Sequence, residues 1–249
     1  MEVIYVHWIR QLSSYLRSGP RVVSSIVQPI FYLTALGFGL GPTYQQAGQG
    51  NYVQFLAPAM LGMIILFSAF FSGIELLYDR RFGFLRATMV APVSRLTIMI
   101  GRTMGGATVA WIQGVLVFIF CTAIGYRPAG FSSIPFALMI MALIAILFAA
   151  MGTVVASLFT DFNTFQTVTN FMTMPFFFFS GALYPLTNVP KAMLWGARGD
   201  PFAYGVDALR AVLNGTAVPF GLTLDLVVLA VLAVGLIVGG AYLFLRIEL

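Results

Sequence analysis

The most concentrated charge in the sequence lies in one short stretch, DRRFGFLRATMVAPVSR. Four arginines (Arg80, Arg81, Arg86 and Arg95) accompany a single acid, Asp79. The apolar residues between them are too few to cross a bilayer, which takes ~20 consecutive apolar residues in a helix. The chemistry that this stretch offers is therefore electrostatic contact with another molecule, outside the membrane.

The apolar spacing within this stretch predicts a short amphipathic helix over residues 84–90. The helix ends at Ala91-Pro92, because the residue before a proline is pushed away from helical geometry. A short helix that connects two membrane spans offers a contact site through which another protein can exert force on both spans.

Composition indicates the class of protein. Hydrophobic residues make up 60% of the chain and charged residues 8%, and the mean hydropathy is +0.95. These values are typical of a membrane protein with several spans. The single cysteine, Cys121, lies in an apolar run, and the single histidine is His7. We therefore expect no disulfide, no metal site and no membrane-embedded enzyme site built from a nucleophile and a base.

The first 21 residues precede any predicted span and have an amphipathic pattern. Apolar residues recur at helical spacing, including Trp8 and Tyr15, and polar residues recur on the other side. This pattern predicts a helix that lies in the headgroup region. The alternative is the n-region of a cleaved signal peptide, which is disfavoured because no small-residue cleavage site follows the apolar run.

The uncharged runs predict an all-α polytopic membrane protein with six transmembrane helices in a single domain. The predicted spans are Val22–Leu40, Tyr52–Tyr78, Thr103–Tyr126, Ile134–Phe159, Asn163–Leu183 and Leu226–Leu245. The domain divides into an interfacial helix (1–21), spans one and two (22–78), the charged segment (79–95), spans three to five (96–183), an outer segment (184–221) and span six with a tail (222–249).

The distribution of lysine and arginine predicts the orientation. Nine basic residues fall in the N-terminal segment, the region 79–102 and the tail, whereas four fall on the opposite side. Basic residues are enriched in cytoplasmic loops, so both termini and the charged segment are expected on the cytoplasmic side of the cell membrane.

The outer segment contains two short helical patterns. The first covers about Pro190 to Ala197. The second covers about Pro201 to Leu213, with Asp200 as N-cap and Asn214-Gly215 as the stop. Neither pattern is long enough to cross a membrane, and the apolar faces would be exposed in water. We therefore predict a re-entrant helical hairpin in the outer leaflet.

Charged residues near the span ends have a structural interpretation. Glu75 lies close to the cytoplasmic end of the second span and is expected to pair with an arginine such as Arg81 or Arg102; its alternative role is a proton or substrate site. Asp207 and Arg210 lie three residues apart on a helix and are expected to form an ion pair.

Two stripes of side chains could line a path through the membrane. On the fifth span, one helical face carries Asn163, Gln166, Asn170 and Thr173. Lipid accepts such a polar face poorly, so the face should look inward, either packing against neighbouring helices or lining a path. On the second span, a flexible and polarizable stripe is formed by Met60, Met63, Phe67 and Phe71. Ordinary helix packing is the alternative for this stripe.

Two longer motifs are shared with a known family. The first is FGFLRATMVAPVSR, residues 82–95, and the second is FFFFSGALYPLTNVPKAMLWGARGDPFAYGVDALRAVLNG, residues 176–215. They resemble the membrane subunits of type 2 ATP-binding-cassette (ABC) transporters, the exporter permeases. The order of elements along the whole chain also fits that family.

The resemblance implies a half-transporter: two copies of this chain, or this chain with a similar one, bound to two cytoplasmic ABC ATPase subunits. The chain has no GxxxxGK[ST] phosphate cradle. Its glycine pairs Gly105-Gly106 and Gly239-Gly240 lie in apolar spans, where close helix packing explains them. We therefore expect no catalytic residue and no cofactor in this chain, with ATP and magnesium bound by the partner subunits, and no nucleic-acid partner.

The resemblance also implies residue roles. Residues expected to couple the chain to the ATPase are Arg81, Phe82, Gly83, Phe84, Leu85, Arg86, Pro92 and Arg95. Because helices two and five lie at the central dimer interface of the family, the two stripes are candidates for lining the pathway. The candidate outer gate consists of Phe176, Phe178 and Trp195.

The expected activity is export of a hydrophobic or amphipathic substrate, such as a drug, a lipid or a lipid-linked glycan, by alternating access at the dimer interface. The alternative is an ATP-independent secondary transporter or channel. That alternative predicts inverted repeats or a buried charge relay, and the sequence has neither.

Overall fold

The computed structural model describes residues 2–17, 19–46, 51–83, 94–186, 189–216 and 219–244, and within these ranges the regular secondary structure is helical. The α-helices are α1 (Glu2–Arg17), α2 (Gly19–Gln46), α3 (Tyr52–Phe71), α4 (Ile74–Arg81), α5 (Arg95–Ile124), α6 (Ser133–Leu158), α7 (Phe162–Phe179), α8 (Lys191–Gly199), α9 (Pro201–Asn214) and α10 (Leu222–Phe244). The all-α prediction is therefore confirmed. The predicted helix over 84–90 falls outside the described residues.

Four helical segments of the described chain are long and apolar enough to cross a membrane. They are Tyr52–Arg81, Arg95–Ile124, Ser133–Leu158 and Leu222–Leu243. They correspond to the predicted second, third, fourth and sixth spans. Helices α2 and α7 lie where the first and fifth spans are predicted, and crossing of the membrane by these two helices stays a prediction.

Helix α5 begins earlier than the predicted third span. Ser94 caps it, because the Ser94 side chain accepts a hydrogen bond from the Thr97 backbone N–H. The sequence prediction started at Thr103 because it stopped at Arg102. That arginine lies inside the helix, however, and is buried against an acid from α4.

Helix α3 forms the centre of the bundle, and its residues from Leu56 to Leu66 are all buried. A short break at Ser72 and Gly73 separates it from α4. A Cβ atom on Gly73 would overlap the Gly152 carbonyl oxygen of α6, so the two backbones are in direct contact there. This close approach of small residues is typical of helix crossings in membranes.

Helices α8 and α9 form the predicted pair after α7. Asp200 is the N-cap of α9 and accepts from the Phe202 N–H at 2.8 Å. Gly215 ends the helix in the left-handed region, at φ +65°. The apolar face of α9, including Phe202, Val206 and Leu209, is fully buried. The second helix of the pair therefore packs into the bundle.

Candidate functional site

A cavity of about 590 Å³ lies between α2, α3 and α7, and we call it the central cavity. Its wall includes four residues of the two predicted stripes: Met63, Phe67, Phe71 and Asn170. The other lining residues are Tyr32, Leu36, Ile64, Ser68, Gln113, Met174, Phe177, Phe178 and Leu183. The wall is thus mainly apolar and aromatic, with two amide side chains that fix hydrogen-bonding directions, as is typical of a small-molecule site.

The other members of the stripes lie elsewhere. Met60 and Thr173 are fully buried, and the Thr173 hydroxyl donates to the Thr169 carbonyl oxygen at 2.8 Å. Asn163 and Gln166 are exposed on the surface of the single chain. The structure therefore separates the polar face of α7 into a buried residue, a cavity residue and two surface residues.

The three candidate gate residues have different surroundings. Phe178 lines the central cavity, and its carbonyl oxygen accepts a 2.6 Å hydrogen bond from the Tyr184 hydroxyl. Phe176 is half-buried, with its ring centroid 6.1 Å from that of Phe148. Trp195 on α8 is exposed and lies under the Arg198 guanidinium group. The structure brings only Phe178 to the cavity.

At one end of the bundle, three charged side chains form what we call the Asp79 cluster. Arg10 from α1 and Arg102 from α5 both donate to the same carboxylate oxygen of Asp79, which lies in the last turn of α4. The Arg102 side chain is 7% exposed and the Arg10 side chain 43%. A buried guanidinium group requires such a partner, because an unpaired buried charge is strongly unfavourable.

The Asp79 cluster fixes α1 to the bundle together with two further contacts. The Trp8 indole N–H donates to the Thr108 hydroxyl of α5 at 2.9 Å. Gln11 is buried, and its side chain packs so closely on Gly105 that a Cβ atom there would overlap it. The predicted close packing at Gly105 is thus confirmed, and α1 packs against α5 along part of its length.

The charged segment begins directly after this cluster. Arg81 and Phe82 are exposed, and Gly83 turns the chain in the left-handed region, at φ +78°. Arg95 begins α5 on the other side of the segment. The remaining coupling candidates, Phe84, Leu85, Arg86 and Pro92, lie outside the described residues.

At the opposite end, Arg210 of α9 binds three backbone carbonyl groups, and we call this set the Arg210 cluster. Its guanidinium group donates to the carbonyl oxygens of Phe55 (3.3 Å), Gly181 (2.8 Å) and Ala182 (2.9 Å). It also lies 3.8 Å from the centroid of the Phe55 ring. The cation is therefore held by carbonyl dipoles and an aromatic face.

The expected ion pair between Asp207 and Arg210 is wrong. Asp207 instead accepts a 3.0 Å hydrogen bond from the Phe220 backbone N–H, and the ion pairs that the structure shows do not include one between Asp207 and Arg210. The reason is that the Arg210 guanidinium group is held by three backbone carbonyl groups, whereas Asp207 already has a backbone donor.

Beside the Arg210 cluster, Pro58 inside α3 frees a further carbonyl group. Proline has no N–H, so the carbonyl group four residues earlier, that of Gln54, loses its helical partner. The Asn214 side chain of α9 donates to this oxygen at 2.9 Å. Arg210 and Asn214 thus dock α9 onto the first turns of α3, beside the proline.

Sequence reasoning missed both clusters. A signal for the first was present: Arg102 interrupts an apolar run, and an arginine in that position needs an acid nearby. For the second, Pro58 signalled only the neighbouring contact of Asn214 with Gln54, because a proline inside a predicted span frees a carbonyl group that a polar side chain elsewhere must satisfy. No comparable signal pointed to Arg210.

Comparison with known proteins agrees with this architecture. The family model described as ABC-2 type transporter matches residues 2–214. Nodulation protein J of Rhizobium leguminosarum bv. trifolii is 28% identical over 196 residues, covering 78% of this chain and 74% of the relative. The putative transport permease ycf38 of Cyanophora paradoxa is 26% identical over 206 residues, covering 81% of this chain and 71% of the relative. The match extends over most of the chain, from α1 to the end of α9, and the chain therefore belongs to the ABC-2 type transporter family, as a membrane permease subunit.

Proposed function

We propose that this chain is one of two permease subunits of an ATP-driven exporter that moves a hydrophobic or amphipathic substrate out of the cytoplasm or the inner leaflet. Family membership supports a partner that carries the ATPase site. The observation that carries the proposal is the central cavity, because its apolar wall with two amide groups suits a ligand that is mainly apolar and has a few polar groups.

In this proposal all six predicted spans cross the membrane, with both termini in the cytoplasm. Helix α2 has 28 residues and α7 has 18, which correspond to about 42 Å and about 27 Å at 1.5 Å per residue. The Asp79 cluster then lies at the cytoplasmic end and the Arg210 cluster at the outer end.

Cysteine labelling tests this orientation. In a Cys121→Ala background, the Gln46→Cys variant should react with an impermeant maleimide in intact cells, and the Ser94→Cys variant should react only after the membrane is opened. Labelling of the Ser94→Cys variant in intact cells would contradict the orientation.

A second permease copy is proposed to cover the exposed face of α7. That face carries the amide side chains of Asn163, Gln166 and Asn170 next to Phe171, which is 80% exposed. Amide groups that face lipid without partners are unfavourable, and across a helix interface they can form hydrogen bonds. Two central cavities would then face each other across the dimer interface.

The segment between α4 and α5 is proposed to contact the ATPase. It is attached at both ends to charged residues of the bundle, Asp79 at the end of α4 and Arg95 at the start of α5. A push on this segment would therefore act directly on two membrane helices. Replacing both Phe84 and Leu85 by aspartate should abolish transport-coupled ATPase activity while the chain stays inserted; full coupling in that variant would rule out this contact.

Transport assays with inside-out vesicles test the proposal as a whole. Vesicles that contain the permease and its ATPase should accumulate a fluorescent amphiphile when ATP is added, and a phosphate-loop lysine variant of the ATPase should not. The Phe67→Ala and Asn170→Leu variants should lower the rate, because both residues line the central cavity. The control is Val231→Ala, at a 63% exposed position of α10. Accumulation that is independent of ATP would indicate a secondary transporter or channel.

A further inference from the structure

The first turn of α10 contains a buried acid, Asp225, that the proposed function does not use. Its exposed fraction is 0%. Neither of its carboxylate oxygens has a hydrogen-bond partner among the described residues. The other buried acids of the described chain have partners: two arginines for Asp79, and a backbone N–H each for Asp200 and Asp207. The burial of Asp225 therefore needs a separate explanation.

The position of Asp225 at the start of a helix does not supply this explanation. A carboxylate in the first turn is favoured by the helix dipole and can accept hydrogen bonds from the free N–H groups there. Asp161 does so at the start of α7, where it accepts from the Thr164 N–H at 2.9 Å. Within the described chain Asp225 accepts no such bond, and its own N–H donates to the Gly221 carbonyl oxygen at 3.1 Å. Asp225 is therefore not a helix cap.

The side chains of α9 supply no compensating positive charge to Asp225. Asp207 acts on it electrostatically with a charge of the same sign. Tyr204 also interacts with it, but the Tyr204 hydroxyl donates to the Arg198 carbonyl oxygen at 2.7 Å. The cation of α9, Arg210, is held by three backbone carbonyl groups.

The other helices that pack against α10 are α5 and α6, and they leave Asp225 in the same situation. Helix α6 has no titratable side chain along its length. Near this end α5 carries only the thiol of Cys121. Tyr126 follows α5, and its hydroxyl donates to the Asn214 side chain at 2.6 Å. Two acids, one on α9 and one on α10, thus act on each other where these helices meet.

A buried carboxylate without a donor or a counter-charge is strongly unfavourable, and two neighbouring carboxylates repel each other when both are ionised. A bound cation removes both costs. A metal ion needs several oxygen ligands, whereas the described residues contain no group of three or more His, Cys, Asp or Glu that could hold one. A proton needs only the carboxyl group itself. We propose that Asp225 is a proton-binding site and that Asp207 is the acid through which its proton exchanges with the outer medium.

A second cavity provides the route to water. It has a volume of about 530 Å³, lies at the Arg210 end of the bundle, and is lined by Asp207 but not by Asp225. We call it the polar cavity, because its wall also carries the hydrogen-bonding side chains of Tyr44, Arg127 and Thr216. A proton that leaves the Asp225 carboxyl group is accepted by the Asp207 carboxylate and passes from there to water in the polar cavity.

This exchange is linked to the packing of α9 on α10. The two carboxyl groups are not hydrogen-bonded to each other, so the transfer requires a movement of one helix against the other. When the proton has left, two like charges lie across the contact and favour its opening. The bound proton therefore stabilises the closed form of the outer end. The site itself does not depend on the proposed function, and only its placement on the outer side does.

Infrared spectroscopy of the whole transporter in nanodiscs tests the site without ATP. The C=O band of a protonated carboxyl group differs from the bands of a carboxylate, and it shifts in D₂O. The background is Asp200→Asn, because Asp200 is another buried carboxyl group at this end. We expect a protonated band at neutral pH that is lost at alkaline pH and that Asp225→Asn removes. The matched control is Asp161→Asn, at an exposed position, which should leave the band intact. A spectrum that Asp225→Asn does not change would overturn the proposal.

Asp207→Asn tests the exchange route in the same background. Asparagine can still accept the hydrogen bond from the Phe220 N–H, so a purely structural role of Asp207 is retained. Without the like charge, the Asp225 band should be lost at a lower pH. Without the accepting carboxylate, exchange of the Asp225 proton for deuterium should slow several-fold. If neither the pH of band loss nor the exchange rate changes, Asp207 does not serve the site.

Replacement of sodium by N-methylglucamine distinguishes a proton from a metal cation. A band that is lost at the same pH in both salts supports the proton site. If the protonated band of Asp225 strengthens when sodium is removed, sodium competes with the proton for the carboxylate, and a metal-cation site replaces the one proposed.

Transport by inside-out vesicles separates this inference from the proposed function. The lumen of such vesicles corresponds to the outer side, so its pH should change the rate for the Asp200→Asn transporter and not for one that also carries Asp225→Asn. ATP-driven transport without an Asp225 band would overturn this inference and leave the proposed function standing. An Asp225 band without any ATP-driven transport would support the proton site and overturn the proposed function.

Discussion

The two ends of the bundle hold buried guanidinium groups in opposite ways. At the Asp79 end, two arginines from different helices share one carboxylate oxygen. At the Arg210 end, one arginine binds three backbone carbonyl oxygens and lies on an aromatic ring. The first arrangement depends on a single acid, whereas the second distributes the cation over several weak partners. The comparison indicates that one substitution, at Asp79, disrupts the first arrangement. In the second arrangement, the loss of any one partner leaves the Arg210 guanidinium group with its other contacts.

The largest effect is expected for Asp79→Asn, which removes the charge that two arginines share. Arg102 would remain buried without its hydrogen-bonded counter-charge, with only the electrostatic attraction of Glu75 left among the acids that act on it. Breaking a buried ion pair by removing one partner destabilises proteins by about 3–5 kcal/mol. Thermal or denaturant unfolding of the purified permease in detergent measures this. The control is Asp161→Asn, the same change at the exposed N-cap of α7, where asparagine caps equally well. Equal stability of both variants would show that Asp79 is not the centre of the cluster.

A smaller loss is expected for Arg210→Met. Methionine fills part of the space over Phe55, but the three carbonyl groups lose their donor, and an unsatisfied buried polar group costs about 1–3 kcal/mol. Arg210→Lys keeps the cation near the Phe55 ring but lacks the fork that reaches several oxygens, so its stability should lie between that of the wild type and that of Arg210→Met. If the lysine variant is as unstable as the methionine variant, the stabilisation comes from the several hydrogen bonds of the guanidinium group and not from the cation–ring contact.

Asp200, at the Arg210 end of the bundle, extends the comparison from buried cations to a buried acidic group. Burial raises the pKa of Asp200 to about 8 from its ordinary value of 3.8, although the Phe202 N–H hydrogen bond opposes the shift. A carboxyl group whose pKa is higher in the folded state binds its proton more tightly there. Its contribution to stability therefore falls as pH rises from the unfolded to the folded pKa.

Asp200→Asn should remove this pH dependence, because asparagine caps a helix without a charge. The variant is expected to be more stable than the wild type above about pH 8, with the difference shrinking towards pH 4. Unfolding curves of both proteins across this range test the prediction. A stability difference that does not change with pH would show that the carboxyl group is not buried as a charge.

Much of the fold could be predicted from the sequence, because its signals are local. Uncharged runs gave the positions of helices, and the sequence Asp200-Pro201 gave the start of α9 from capping chemistry alone. Contacts between distant segments could not be predicted in this way. The partner of Arg102 lies 23 residues away on α4, and that of Asn214 lies 160 residues away on α3. These pairings depend on how the helices pack, which the sequence does not show directly. The spacing of three residues along one helix therefore predicted that Arg210 pairs with Asp207, whereas it binds carbonyl groups.

The central cavity shows the same limit for the candidate site. Helical periodicity correctly placed Met63, Phe67 and Phe71 on one face of α3, and all three line the cavity. It gave no information about Gln113 of α5, which contributes one of the two amide groups of the wall. A residue from a third helix enters a site only through tertiary packing, which periodicity within one helix does not describe.

The smallest effect is expected for Arg10→Gln, which tests whether the two arginines of the Asp79 cluster are equivalent. The Arg10 side chain is 43% exposed and the Arg102 side chain 7%. After the substitution Asp79 keeps the buried Arg102 as its partner, so no buried charge is left unpaired. The loss should therefore resemble that of a solvent-accessible ion pair, about 0.2–1 kcal/mol, and should decrease further at high salt.

Arg17→Gln provides the control, since it removes an exposed arginine from the last turn of the same helix. Unfolding of the wild type and of the two variants at low and high salt distinguishes the outcomes. If Arg10→Gln lowers stability as much as Asp79→Asn does, both arginines are needed to hold the carboxylate. Helix α1 would then be as much a part of the core as α5.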